Sequence, residues 1–245
     1  TSASYSQKKK GFDVRVGYPI YTFTNLYTTY KLVDTEIKSV DDPTIDLTLE
    51  NGLASSIQAS VVHDRRDDRS DPRKGFFLSY STEYTGLGGD KKWLKNEAEA
   101  KGFYPVWGDL IFRSRFYAGK LHEVAGRSVP RTEKFTLGGS RNLRGYGYEA
   151  VGPKKRVNNP EKAGEFLIFN QGGSFSAFTN LEFQHPLSRE AGLKWVVFFD
   201  AGHAGDVKNV KVYVDYGFGF RWFSPIGTLR FEFGYPLTGE AKNQG

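Results

Sequence analysis

The sequence predicts an all-β protein, a transmembrane antiparallel β-barrel that crosses a lipid bilayer with its strands. Three observations support this fold class. Aromatic residues make up 16% of the 245 residues and glycines number 28, which favours strands over long helices. Apolar and polar residues alternate with period two along most of the chain. The connecting segments are short at one set of positions and long and polar at the other, as is typical of transmembrane barrels.

Eight alternating segments follow one another along the chain, and each predicts a strand with one apolar face. The first two combine Val, Leu, Thr and Tyr, the third is small and aliphatic, and the fourth is aromatic opposite Ser and Glu. The fifth sets Lys and Glu against Ala and Gly, and the sixth sets Arg against Phe. The last two are Phe- and Trp-rich opposite polar residues. In chain order they cover 12–18, 26–32, 57–61, 76–84, 94–104, 110–116, 175–184 and 194–200.

A C-terminal hairpin completes the ten predicted strands and shows the alternation most clearly. Residues 210–222 carry seven apolar side chains on one face, and 229–235 resume the pattern after a Pro-Ile-Gly turn. We predict that the two segments pair as adjacent antiparallel strands. The alternation directs Phe218, Phe220 and Trp222 to lipid, and Asp215 and Arg221 to the lumen.

The connectors predict how the strands are oriented. The short ones carry a proline, which ends ladder pairing because it lacks an N–H; these are Pro19, Pro105, Pro186 and Pro225. The long ones cover 34–52, 86–92, 122–173 and 202–209. We expect the first set at the periplasmic end and the second at the extracellular end. Aromatic residues near the short turns predict an interfacial girdle; they are Tyr18, Tyr104, Trp107, Trp222 and Tyr235.

A soluble β-sandwich or closed soluble barrel is the alternative to a membrane barrel. Large aromatic faces, and charges beside glycines in mid-strand on the opposite faces, argue against it. The sequence contains no run of 18 apolar residues, which a membrane-spanning helix would need. The absence of Cys excludes disulfides and thiol catalysis. The net charge of +6 is dispersed among acidic residues, so nucleic acid is not an expected partner.

The longest connector contains a distinctive motif over 135–146, F-T-L-G-G-S-R-N-L-R-G-Y, followed by Gly152-Pro153. This motif resembles the hallmark of the sixth extracellular loop in the superfamily of BamA-type outer-membrane β-barrel assembly proteins. Three other stretches are similar to motifs of the same superfamily: 64–75 with its Asp-Arg-Arg-Asp-Asp, Pro and Gly, 198–202 with its Asp-Ala-Gly, and 219–227. The resemblance runs from about residue 11 to residue 237.

The resemblance implies a sixteen-stranded barrel that follows a series of periplasmic POTRA domains. Residues 1–245 would then be the C-terminal part of the barrel domain. The chain would start near the sixth strand of the family and stop before the final strand, so that upstream strands and POTRA domains lie outside it.

The resemblance also implies that the motif folds back as a plug of the lumen. The plug residues would be Gly138, Gly139, Arg144, Gly145 and Tyr146. A guanidinium in a lumen needs a carboxylate, because an unpaired confined charge is costly. Glu182 and Asp200 lie on the polar faces of the next two strands and can supply one, and the resemblance implies this pairing. Phe198 shares the face of Asp200 and could pack on the Arg144 plane.

The expected function is that of an insertase in the outer membrane of a Gram-negative bacterium, assisting the folding and insertion of β-barrel proteins. Its partners would be unfolded outer-membrane protein clients, the lipid bilayer and accessory lipoproteins of an assembly complex. We expect no enzymatic activity, cofactor or metal, since the four His residues are isolated and no catalytic motif occurs. Two alternatives are a two-partner-type polypeptide secretion channel and the barrel anchor of a patatin-like phospholipase.

Overall fold

A computed structural model of the chain describes residues 5–40, 50–158, 166–224 and 227–238. Twelve strands and one 3-10 turn, Arg131–Glu133, occur in these residues. No helix of the described part is long and apolar enough to cross a membrane. The strands are β1 Tyr5–Tyr21, β2 Thr24–Val40, β3 Gly52–Asp64, β4 Gly75–Gly89, β5 Trp93–Trp107, β6 Leu110–Glu123, β7 Lys154–Asn158, β8 Phe166–Asn170, β9 Phe175–Ser188, β10 Leu193–Gly205, β11 Tyr213–Ser224 and β12 Gly227–Pro236.

Ten strands form one antiparallel sheet in the order β1-β2-β3-β4-β5-β6-β9-β10-β11-β12. Each strand lies beside its neighbour in sequence except β9, which pairs with β6 across a long connection, 124–174. Among the described residues, β1 and β12 form the two edges of the sheet. The predicted C-terminal hairpin is confirmed, since Trp222 pairs with Leu229 and Tyr216 with Tyr235.

The strands differ from the predictions in several places. Strand β2 continues to Val40 and β4 to Gly89, into the predicted connectors 34–52 and 86–92, because both keep pairing with their neighbours. The small hairpin β7–β8 lies inside the predicted loop 122–173; its two short strands are too brief for a clear period-two signal. Strand β10 continues to Gly205, beyond the predicted end at 200, because it keeps pairing with β9. Strand β11 begins at Tyr213 rather than 210, because its pairing with β10 begins there.

The prolines of the short connectors lie at one end of the sheet, as predicted. Pro19, Pro105 and Pro186 are near the C-terminal ends of β1, β5 and β9, which run in the same direction; Pro225 is outside the described residues. The expectation that proline ends the pairing is wrong. Each proline lies inside its strand beside a register shift, because a β-bulge accommodates the missing N–H while the ladder continues.

The two faces of the sheet have the polarity of a membrane barrel. The face that the 124–174 connection covers, here called the inner face, buries polar and charged groups such as Asp200, Asp215 and Arg221. The outer face exposes aromatic side chains: Phe218, 45% exposed, and Phe231, 58%. A soluble sandwich would bury its apolar face instead. The chain is therefore part of a transmembrane barrel with lipid as the solvent of its outer face.

The predicted positions of the aromatic girdle are correct for most of its residues and wrong for one. Tyr18, Tyr104 and Trp107 are exposed by 67% or more beside the short turns. Trp222 also lies there, next to the β11–β12 turn. Tyr235 lies at the opposite end, because β12 runs away from that turn and Tyr235 pairs with Tyr216 near the start of β11.

The apolar core lies on the inner face, under the 124–174 connection. One cluster packs Leu137, Leu143, Tyr146 and Val151 of the connection against Phe178 and Ala204 of the sheet. A second joins Val129 and Phe135 to Trp93 and Leu121. The connection is therefore a packed part of the fold rather than a solvated loop.

Candidate functional site

The motif segment 138–146, here called the plug tip, is a compact turn closed by its own hydrogen bonds. The Gly139 N–H donates to the carbonyl oxygens of Leu143 and Tyr146 at 3.1 and 2.9 Å. The Asn142 Oδ1 accepts from the N–H groups of Gly138 and Leu143, both at 2.7 Å. These bonds hold residues 143–146 in one orientation toward the sheet.

The backbone conformation of the plug tip requires the two adjacent glycines of the motif. Gly138 has φ +113° and Gly139 has φ +97°, values that side-chain-bearing residues rarely adopt. A Cβ on Gly138 would also lie 2.2 Å from the carbonyl oxygen of Gly147. The Gly-Gly pair is therefore required for the turn to close on itself.

Leu143 and Tyr146 anchor the plug tip on both sides of Arg144. Leu143 is completely buried in the apolar cluster. The Tyr146 hydroxyl lies 3.0 Å from the carbonyl oxygen of Val214 and can donate to it, and its ring meets that of Tyr213 edge-on. The two anchors fix the backbone from which the arginine projects.

The Arg144 side chain is 5% exposed and reaches the acidic centre of the inner face. Its Nε and Nη2 donate to the two carboxylate oxygens of Asp200 at 2.8 and 2.7 Å. Its Nη1 donates to Glu182 Oε1 at 2.5 Å and lies 3.4 Å from Glu232 Oε2. The guanidinium carbon lies 3.6 Å from the centre of the Phe198 ring. The forked geometry toward Asp200 is one that arginine alone among the basic residues can make.

The charge of Arg144 is secured by these contacts. Burial by itself would lower the pKa of the guanidinium, but its hydrogen bonds to Asp200 and the charges of Glu182 and Glu232 raise this pKa well above its ordinary value. Arg144 therefore remains a cation throughout the accessible pH range.

A second arginine from the sheet completes the network. Arg221 donates to both oxygens of Glu182 at 2.9 Å and to Glu232 Oε1 at 2.9 and 2.7 Å. It also donates to Gln184, which accepts from Arg113 as well. The carboxylates of β9 and β12 are thus shared between the plug and the barrel wall. The network joins five strands, β6, β9, β10, β11 and β12, to the plug tip.

Glycines on the inner faces of β11 and β12 make room for the plug. A Cβ on Gly217 would lie 2.4 Å from the Phe198 ring, and one on Gly234 would lie 2.6 Å from the backbone of Arg144. Gly145 approaches the sheet equally closely, since a Cβ there would lie 2.5 Å from the Asp215 Cβ. These approaches explain why the polar faces of the predicted hairpin carry glycine beside charge.

The structure brings together all the residues that the sequence singled out. The tip residues Arg144 and Tyr146 meet the sheet, and Glu182, Asp200 and Phe198 all contact Arg144. Sequence reasoning missed part of the site. The missed residues are Asn180, whose amide donates to Asp200 at 2.8 Å, together with Gln184, Arg113, Glu232 and the role of Arg221. Their position on the polar faces was readable, but their meeting depends on the register between β6, β9, β10, β11 and β12.

A further missed residue, Glu50, holds the base of the 124–174 connection. It is 2% exposed. One carboxylate oxygen accepts from the Arg131 N–H at 2.5 Å, and the other accepts from the Thr132 hydroxyl at 2.6 Å. A buried carboxylate at the start of a 3-10 turn satisfies N–H groups that the turn leaves free. No sequence motif marks Glu50, because the contact joins residues about 80 positions apart.

The whole chain, residues 1–245, matches the family model of the Omp85 superfamily domain. The chain belongs to the Omp85 superfamily. The curated relatives of this Omp85 chain include the outer membrane protein assembly factor BamA of Nitratidesulfovibrio vulgaris, 27% identical over 243 residues. The alignment covers 95% of this chain and 30% of that protein, so the chain spans about a third of the length of such relatives. The human sorting and assembly machinery component 50 homolog is 29% identical over 105 residues, 42% of this chain and 22% of that protein.

Two solved structures share the Omp85 fold. BamA from Haemophilus ducreyi superposes with a TM-score of 0.83 at 18% identity, covering 97% of this chain and 52% of that one. CdiB from Acinetobacter baumannii superposes with a TM-score of 0.61 at 13% identity, covering 95% and 39%. The ten-stranded sheet is therefore a segment of an Omp85 barrel.

Proposed function

We propose that this chain is the barrel part of an outer-membrane insertase, which assists the folding and insertion of other β-barrel proteins. The similarity to BamA over 95% of the chain supports the proposal. The outward aromatic face supports placement in a bilayer. The function requires no enzymatic step, no cofactor and no metal.

The observation that carries the proposal is the ion-pair network between the plug tip and the inner face. Arg144 ties the tip to β9, β10 and β12 through Glu182, Asp200 and Glu232. A lumen occupied in this way is poorly suited to conducting an extended polypeptide. The network therefore favours a mechanism in which client proteins interact with the wall of the barrel, while the plug keeps that wall rigid.

The proposed mechanism uses strand pairing and the bilayer. A strand edge presents unpaired N–H and C=O groups, which template the pairing of an incoming client strand. Every backbone group that pairs before it meets hydrocarbon avoids a cost of several kcal/mol. The bilayer and unfolded outer-membrane proteins would be the partners, with accessory lipoproteins recruited to the periplasmic side.

The test is reconstitution of the full-length protein in liposomes. A urea-unfolded β-barrel client is added, and its folded fraction is followed by heat-modifiable mobility on gels. We expect folding faster than with empty liposomes, and an Arg144→Ala protein should lose most of the acceleration. Lys208→Gln removes an exposed charge in the β10–β11 connection, outside the plug network, and serves as the control. An unaccelerated client, together with export of a polypeptide through the reconstituted protein, would instead support the secretion channel.

A further inference from the structure

A cavity of about 400 Å³ separates the plug tip from the turn that connects β3 to β4. Ser140, Arg141 and Arg144 line it from the plug, and Arg66 and Arg69 line it from the turn. The inner faces of β5, β6, β9, β11 and β12 form the remaining walls. This space, here called the basic chamber, borders the plug network, since Arg144, Glu182 and Arg221 belong to both.

The lining of the basic chamber is strongly cationic. Half of the described residues that line it are Arg or Lys, and Glu182 is the one carboxylate among them. A partly enclosed space with walls of one sign concentrates the potential and attracts counter-ions. The chamber therefore differs from the mixed-charge surface of the rest of the chain.

The carboxylates behind the walls neutralise this charge only in part. Asp200 pairs with Arg144, but Glu182, Glu232 and Glu99 are each shared by two or more cations. Glu182 faces Arg113, Arg144 and Arg221 at 3.9, 2.5 and 2.9 Å. Glu99 is likewise shared, between Lys101 at 3.0 Å and Arg115 at 2.6 Å.

The turn repeats this sharing. Asp64 accepts from Arg66 in forked geometry at 2.8 Å, and Arg69 approaches the same carboxylate only at 3.5 Å. Cations thus outnumber carboxylates among the residues that line the chamber.

Two guanidinium groups remain available to a ligand. The Arg69 side chain is 82% exposed. The Arg141 side chain makes no hydrogen bond or ion pair with any residue that the structure describes, although its carbonyl oxygen accepts from Arg115. The two lie on opposite walls of the chamber, one on the turn and one on the plug tip.

We propose that the basic chamber is a binding site for an oxyanion group, a carboxylate or a phosphate. Planar guanidinium groups match both oxyanions with paired N–H donors. A ligand held there would contact the turn and the plug tip together. The site is independent of the proposed function, since it depends on the lumen charge and not on strand pairing.

The experiment measures binding to the full-length protein in detergent micelles at low ionic strength by titration calorimetry. The probes are inorganic pyrophosphate and a hexaglutamate peptide. The test variant is Arg69→Gln combined with Arg141→Gln, neither of which contributes to the plug network. Arg65→Gln is the matched control, because Arg65 lies in the same turn, is exposed, and packs on Phe23 outside the chamber.

We expect saturable binding that weakens about tenfold in the double variant, as the loss of charge-assisted hydrogen bonds predicts, and that is unchanged in Arg65→Gln. Preference for pyrophosphate would assign the site to phosphate ligands, and preference for hexaglutamate to carboxylate ligands. Unaltered heat-modifiable mobility would show that the double variant is folded. The proposal is overturned if neither probe binds, if the double variant binds as tightly as the parent protein, or if the control loses affinity equally.

Discussion

At the scale of single residues, the plug depends on one guanidinium held by three carboxylates. Asp200 is fully buried and receives the fork of Arg144, while Glu182 and Glu232 divide their oxygens between Arg144 and Arg221. Buried pairs of this kind contribute little relative to an apolar alternative, but removing one partner is costly because it leaves the other charge buried. The network therefore makes Arg144 difficult to replace.

Arg144→Ala should lower the unfolding free energy of the full-length protein by about 3–5 kcal/mol, because it leaves Asp200 buried without its cation. Arg144→Lys should recover only part of this loss, since an ammonium cannot reproduce the fork. Urea titration followed by heat-modifiable mobility measures both. Arg230→Ala is the control: its side chain is 45% exposed and Glu232 keeps Arg221, so a loss below about 1 kcal/mol is expected. Equal losses in the two alanine variants would contradict the central role of Arg144.

At the scale of elements, the 124–174 connection is held at two places, at the plug tip and at its base. The base contact is Glu50, which receives the Arg131 N–H and the Thr132 hydroxyl and lies beside Lys91. Since the tip and the base have separate anchors, either can loosen while the other stays bound.

Glu50→Ala should loosen the base without releasing the tip, because the donors of the 3-10 turn lose their acceptor inside a buried site. We expect faster trypsin cleavage within 124–134 and unchanged heat-modifiable mobility. Glu123→Ala removes an exposed carboxylate near the same end of the molecule and should leave cleavage unchanged. The role of Glu50 is refuted if both variants are cut at the parental rate.

The turn between β3 and β4 is a second ordered element, and it responds to pH. Asp67 accepts from the N–H groups of Asp68, Arg73 and Lys74. Burial raises the pKa of Asp67, but the backbone donors together outweigh it and hold this pKa below its ordinary value of 3.8. A lowered pKa in the folded state stabilises the protein above about pH 4, and this contribution is lost as the pH falls through the folded-state pKa.

Asp67→Ala should therefore destabilise the turn at pH 7, and the difference from the parent protein should shrink as the pH falls below about 4. Urea midpoints of the two proteins from pH 7 to pH 3 measure the difference. Because Asp67 lies at the surface, the effect should be small. A difference that is constant over this range would show that the carboxylate charge does not matter.

At the scale of the whole molecule, the polarity of the two faces of the sheet is the reverse of that in a soluble protein. Its charged face is buried where the 124–174 connection covers it, and its aromatic face is exposed. The arrangement is stable only if lipid covers the aromatic face, because an apolar surface of this extent is unfavourable in water.

Phe218→Arg should cost about 2–4 kcal/mol in a bilayer, because Phe218 lies in the middle of β11 on the outer face, where arginine would enter hydrocarbon. Val210→Arg lies before the start of β11 and should cost about 0–1 kcal/mol. Urea unfolding of the full-length protein in lipid vesicles measures both values. Similar costs at the two positions would be inconsistent with the outer face being in lipid.

The sequence by itself determined where the ten strands of the sheet lie, which faces are apolar, and the motif of the plug. These features are local: period-two alternation depends only on neighbouring residues, and the Gly-Gly and Arg-Gly-Tyr groups are contiguous. Phe218 on the outer face and Arg221 on the inner face were therefore predictable. The same logic failed for Tyr235 and for the prolines, since it does not say at which end a strand finishes or whether a bulge lets pairing continue.

Only the tertiary structure decided which charges meet. Arg113, Glu182, Arg221 and Glu232 lie on four strands, and their contact depends on the register of each strand against the next. A shift of two residues would preserve every face and every apolar contact pattern while changing all the ion pairs. Glu50 and the basic chamber have the same origin, because both join residues far apart in the chain. Electrostatic partners of this kind are a property of the assembled sheet, and no local pattern encodes them.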